Sequence, residues 1–172
     1  HPEHGIPSAV SAPFAVAAEM SLEARLEKFR LELEALGAKF VPCAQDELAG
    51  KVIALLKEKK SREIIAWEDS SLPEGLLSAL IDAGIRVVHP AVEDKLDAGL
   101  IRVGLTGALA GAAETGSLAI PGGRERSLAA SLLPEMHIAV LRKDNVLSGL
   151  DALLKLPEMI GSAAGVLVSG PS

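Results

Sequence analysis

The chain has 172 residues, 49% of them hydrophobic, which is enough to bury the core of one domain and close to the usual size of one. Its 17 basic and 23 acidic residues leave a net charge of −6, and its aromatics are three Phe and one Trp with no Tyr. That balance excludes the electrostatic footprint of a nucleic-acid or membrane-surface binder, and it leaves no set of rings on which bases could stack.

Residues 1–18 carry three prolines among Ala and Ser and no basic leader, so they read as a flexible arm rather than a signal peptide. Residues 19–172 then form a single domain with no linker. Ser21 to Leu36 sets Leu22, Leu26, Phe29, Leu33 and Leu36 at three- and four-residue spacings, with Glu and Lys between them and Gly37 as a stop. This pattern predicts an amphipathic helix. Lys39 to Val41 is predicted as a short strand, and Cys43, the lone cysteine, as a small buried residue without a role. One cysteine cannot make a disulfide or hold an iron–sulfur cluster, which fits a cytoplasmic protein without a cluster of its own.

A second helix is expected over Asp46 to Lys59, a strand over Glu63 to Trp67, and a third helix from Pro73 to Gly84. Strands are expected at Ile85 to Val88, Leu100 to Leu105, Leu118 to Ile120, Ile138 to Leu141 and Val166 to Val168. Helices fill Glu125 to Leu133 and Asn145 to Leu156. Short apolar strands alternating with helices argue for a three-layer α/β/α domain whose parallel or mixed sheet is covered on both faces. In such sheets ligands gather beyond the carboxyl ends of the strands, which selects Glu68, Asp69, His89, Pro90, Thr106, Gly107, Ser169 and Gly170.

From Val103 to Ala113 the chain reads V-G-L-T-G-A-L-A-G-A-A without a charge, and E-T-G-S follows at Glu114. If Glu114 is buried there without a cation, desolvation raises its pKa and makes it a candidate base, nucleophile or ligand anchor. In the bland reading Thr115-Gly116-Ser117 is only a tight turn with Gly116 at positive φ. Ten residues separate Thr106 from Ser117, short for a parallel crossover, so either a short helix intervenes or the next strand returns antiparallel. The antiparallel case puts Thr106, Glu114 and His137 at one sheet edge; the parallel case opens the His137 strand at the far edge. Further on, Pro121-Gly122-Gly123-Arg124-Glu125-Arg126-Ser127 is a turn into a helix whose N–H groups and arginines can hold a carboxylate or phosphate, or can simply be solvated. The four histidines lack zinc-ligand spacing.

V-G-L-T-G-A from Val103, E-T-G-S from Glu114, R-E-R-S-L from Arg124, L-P-E-M-H-I from Leu133 and S-G-P-S from Ser169 together resemble the LUD domain of lactate-utilisation proteins, in its single-domain LutC (YkgG-like) form. The resemblance covers residues 100–172 in order and spacing. It implies a fold similar to ribose-phosphate isomerase, glucosamine-phosphate deaminase and the CoA transferases. It also implies a part in oxidising L-lactate to pyruvate beside an iron–sulfur subunit and an oxidoreductase-like subunit, which would carry the clusters. The chain is expected to be a non-redox subunit that binds a small carboxylate metabolite or a partner subunit near Glu114. From the residues themselves the candidate catalytic residues are Glu114 and His137, and the candidate ligand-binding residues Thr106, Gly107, Thr115, Gly116, Ser117, Arg126, Ser169, Gly170 and Ser172. Ser117 stands where the family often has Thr, and Glu135-Met136 where Pro and Val are common. Beyond Ser172 the family continues with an R-T-A-D-I-E-like stretch and G-V-H-G-P, so part of its site is expected outside this sequence. An enzyme of isomerase or CoA-transferase type using Glu114, and a regulatory or scaffolding domain, are the alternatives.

Overall fold

In a computed structural model, residues 20–90, 101–161 and 164–169 are described. Residues 1–18, Leu100, Gly170 and Ser172, on which expectations were placed, lie outside them. Helix α1, Leu22–Ala35, begins where the Ser21 hydroxyl accepts from the Ala24 N–H at 3.2 Å, and ends as Gly37 turns left-handed at φ 82°. Helix α2, Leu48–Glu58, follows a single tight turn at Gln45–Glu47 and buries Val52 and Leu56, one turn apart. Strand β1 (Glu63–Ala66), helix α3 (Leu76–Asp82) and strand β2 (Arg86–Val88) come next, with β2 parallel to β1. Strand β3 (Val103–Gly107) lies parallel to β1 on its other side.

After Gly107 the chain leaves this sheet. The Ala108 N–H still donates to Val140 O at 2.8 Å, but Leu109 donates to Ala119 O at 2.9 Å. Strand β4 (Ala110–Ala112) therefore belongs to a second sheet, antiparallel to β5 (Ser117–Pro121). Helix α4 (Ala129–Leu132) returns the chain to β6 (Met136–Val140), parallel to β3. The last elements are β7 (Val146–Leu147), α5 (Leu150–Leu154), α6 (Pro157–Gly161) and β8 (Gly165–Val168). The result is an α/β protein with a parallel sheet ordered β2-β1-β3-β6 and a mixed sheet ordered β7-β4-β5-β8.

Five expectations are corrected. One sheet becomes two, because β4, a run of Ala-Gly-Ala with no β-branched residue, fills the gap between Thr106 and Ser117. The expected helix over Asn145 to Leu156 is broken. Asn145 donates to Leu109 O at 2.9 Å, Val146 is buried in the second sheet, and extended Gly149 precedes the short α5. The expected helix over Glu125 to Leu133 shrinks to α4, since Gly123 and Arg126 exchange both backbone bonds at 3.1 and 3.2 Å in a closed turn. Lys39 to Val41 is no strand; Phe40 instead meets Phe29 edge-to-face at 6.4 Å. Cys43 is exposed on the same segment rather than buried.

The main core lies around the parallel sheet, where Leu56, Ile64, Ile65, Leu80 and Leu105 are fully enclosed. Gly104 governs one face of it: a Cβ there would overlap the Ala130 carbonyl, so α4 lies directly on the β3 backbone. Smaller clusters cover the second sheet, with Phe29 of α1 packed on Ala113 and Val146, and Leu153 of α5 on Ala110, Ala112 and Ala119. No helix among the described residues is long and apolar enough to cross a membrane.

Candidate functional site

All four strands of the first sheet run the same way, so the loops after β1, β2 and β3 emerge at one edge. Trp67 ends β1 with its N–H on Leu105 O at 3.2 Å, and its indole N–H donates to Ser127 O at 3.2 Å. The Glu68 N–H donates to Glu125 O at 3.0 Å, and the Ser70 hydroxyl to the Glu125 carboxylate at 2.7 Å. The last three of these bonds lace the glycine-rich turn of residues 122–127 onto the end of β1.

Arg126 is thereby laid over the indole, with its guanidinium carbon 5.8 Å from the ring centroid, while its Nε donates to the Ser71 hydroxyl at 3.3 Å. Its terminal amino groups donate to no described residue. A half-buried guanidinium, fixed at one nitrogen and free at the other two, is suited to a bidentate carboxylate or phosphate. Gly107 lies beneath the same indole, whose Cζ3 would stand 3.2 Å from a Cβ placed there. His89, after β2, faces Ala66 O at 3.2 Å and the Glu68 carboxylate at 3.8 Å.

Thr106 and His137 meet inside this sheet. His137 pairs with Gly104 in the register, and its imidazole reaches Thr106, two residues further along β3. His137 Nε2 and the wholly buried Thr106 Oγ1 share a hydrogen bond of 2.8 Å. Burial pushes the imidazole down from 6.5 to about 4, so it is neutral at physiological pH. A neutral, hydrogen-bonded histidine of this kind positions a strand pair and polarises the threonine hydroxyl.

The E-T-G-S segment sits in the second sheet. Gly116 does adopt positive φ, 65°, and packs where a Cβ would come 3.0 Å from the Leu33 nitrogen of α1. Thr115 Oγ1 and Ser117 Oγ are 2.7 Å apart, and Ser117 Oγ and Ser169 Oγ 2.5 Å apart. The structure therefore joins Thr115, Ser117 and Ser169 across 52 residues of chain. Glu114 is exposed, so the burial that would have made it a candidate base or nucleophile is absent. Its backbone N–H donates to Ser148 O at 3.1 Å, its carboxylate carbon would lie 3.0 Å from a Cβ on Gly149, and it forms no ion pair with a described residue. The single edge that the antiparallel case would give Thr106, Glu114 and His137 does not form, because β4 carries Glu114 into the other sheet.

The candidates thus divide into two groups. Arg126, Gly107, Thr106 and His137 belong to the parallel sheet and its loops, and Thr115, Gly116, Ser117, Ser169 and Glu114 to the mixed one. Between Ser117 and the turn of Arg126 runs the whole of β5, roughly 13 Å at the usual rise. Trp67, Ser70 and Ser71 are the residues that sequence reading missed. The available signal was a sole tryptophan ending an apolar strand, followed by paired serines. No group of three His, Cys, Asp or Glu that could hold a metal occurs among the described residues.

A parallel sheet with an arginine-bearing loop at its carboxyl edge, joined to a smaller mixed sheet, defines an α/β domain with a candidate anion-binding edge. The sequence matches the family model of the LUD domain over residues 26–167, and the chain belongs to that family. Its fold is similar to that of a DUF162 family protein from Deinococcus radiodurans, known from a crystal structure, with a TM-score of 0.70 and 20% identity over 88% of this chain and 90% of that one. No curated protein matches.

Proposed function

We propose that the chain is a LutC-type, non-redox subunit of a cytoplasmic L-lactate utilisation system, and that it holds a small carboxylate metabolite at Arg126. LUD-domain membership supports the pathway, and the free face of the Arg126 guanidinium over Trp67 supports the ligand class. Arg126 is a better anchor than Glu114, which is itself an exposed carboxylate without a cationic partner among the described residues and would repel an anionic metabolite. In this reading, oxidation of L-lactate to pyruvate releases two electrons that pass to iron–sulfur and oxidoreductase-like partner subunits. A chain with one cysteine cannot ligate a cluster alone.

The purified chain, given L-lactate and an artificial electron acceptor, is expected to form no pyruvate, and partner subunits reconstituted with it are expected to oxidise lactate faster than those without it. Lactate oxidation by the isolated chain at the rate of the assembly contradicts this role.

A further inference from the structure

At the opposite, amino edge of the parallel sheet, five basic residues line an open depression of about 790 Å³. Lys59, Lys60 and Arg62 come from the end of α2 and the link to β1, Arg86 from the start of β2, and Arg102 from just before β3. A second depression of about 580 Å³ adjoins it, lined by Lys57 and by the same Lys60, Ser61 and Arg62. The two share that three-residue ridge, so together they form an elongated groove rather than a closed pocket.

The charges in it are unevenly matched. Arg86 is paired with Glu63, and Arg102 with Glu135 at 2.7 Å. Glu58 is engaged by Lys39 at 3.7 Å. Lys57, Lys59, Lys60 and Arg62 are all exposed, and none pairs with a described carboxylate. In a chain of net charge −6, four unpaired cations within six residues make a local reversal of sign.

Lys60 adds a second, independent observation. It is the one non-glycine among the described residues at positive φ, 54°, and it closes α2 as the Ser61 N–H reaches Leu56 O at 2.9 Å. Glycine ordinarily fills that position because a Cβ is strained there. The turns that end α1 and α3 follow the rule, with Gly37 at 82° and Gly84 at 81°. A lysine retained at the strained position projects a cation onto the shared ridge at a cost in local stability.

We infer that this amino-edge groove docks an extended acidic segment of a partner protein. Exposed lysines on a ridge flanked by depressions on both sides match carboxylates spaced along a strand or loop. A compact phosphate would instead want a cradle of backbone N–H groups. The groove lies at the far end of the parallel strands from Arg126, so a partner seated here leaves the carboxyl edge open.

Fluorescein-labelled hexaglutamate titrated into the full chain, followed by anisotropy, tests the assignment. Saturable binding is expected at low ionic strength, weakening as salt rises toward about 0.15 M. Lys59→Glu combined with Arg62→Glu is expected to reduce affinity about tenfold or more, while Arg126→Gln binds as the parent does. Lys60→Gly is expected to raise Tm yet weaken the peptide, a pair of shifts that a purely structural lysine would not give. Unchanged affinity in the double variant or in Lys60→Gly, loss of binding in Arg126→Gln, or saturable binding of tripolyphosphate without binding of hexaglutamate would each overturn the proposal.

Discussion

The two sheets of this LUD domain treat their polar groups in opposite ways. At the carboxyl edge of the parallel sheet, parallel strands bring together loops that are distant in sequence, so Trp67 and Ser71 meet Arg126 and fix it while leaving two of its nitrogens unengaged. In the mixed sheet the E-T-G-S turn and Ser169 bond to one another, so the hydroxyls are largely spent on themselves. Spare hydrogen-bonding capacity on a rigid support is what a ligand needs. By that measure the parallel sheet holds the better candidate for a binding site, although the mixed sheet carries the more conspicuous motif.

The contrast extends to packing, and the largest expected effect lies there. Gly104→Ala sets a Cβ against the Ala130 carbonyl, which cannot yield without moving α4, and is expected to cost about 3 kcal/mol or more by urea unfolding. A loss below about 0.5 kcal/mol would show that the parallel sheet is less tightly built than described here.

Next comes His137. Its native pKa of about 4 lies below its ordinary 6.5, so between these values the unfolded chain takes up a proton that the folded one refuses. Stability from this group is complete above about pH 6.5 and falls as pH drops toward 4, by up to roughly 3 kcal/mol. His137→Gln is expected to flatten that part of the pH–stability curve relative to the parent. Parallel curves for the two proteins would mean the imidazole titrates normally.

The smallest effect belongs to Gly149→Ala in the mixed-sheet region. The three atoms nearest the new Cβ all belong to the exposed Glu114 carboxylate, which can swing aside, so the expected cost is under about 1 kcal/mol by the same assay. A cost equal to that of Gly104→Ala would show Glu114 to be rigidly held and would restore its claim to be a built site.

Much of the fold was legible. The helix opened by Ser21, the apolar β1, and the strands around Val87, Leu105 and Ile138 follow from periodicity and caps, because burial imposes those patterns locally. The second sheet was legible only in part: β5 and β8 were expected, β4 and β7 were not. β4 is Ala-Gly-Ala and β7 only Val-Leu, and each becomes a strand through its neighbours rather than by its own propensity. The site was legible by half. Gly116 turns as expected, and Ser117 meets Ser169, but Arg126 gains its setting from Trp67 and Ser71, which stand 59 and 55 residues before it in the chain. Glu114 looked buried because uncharged residues precede it, yet the strand ends at Ala112 and the acid emerges into solvent.

The most direct test of the account is a calorimetric titration of the full chain with L-lactate and with pyruvate, run in parallel on Arg126→Gln and Ser117→Ala. Binding to the parent and to Ser117→Ala, with about a tenfold or greater loss in Arg126→Gln, is the predicted result. Binding that survives in Arg126→Gln and disappears in Ser117→Ala would place the ligand on the mixed sheet and contradict it.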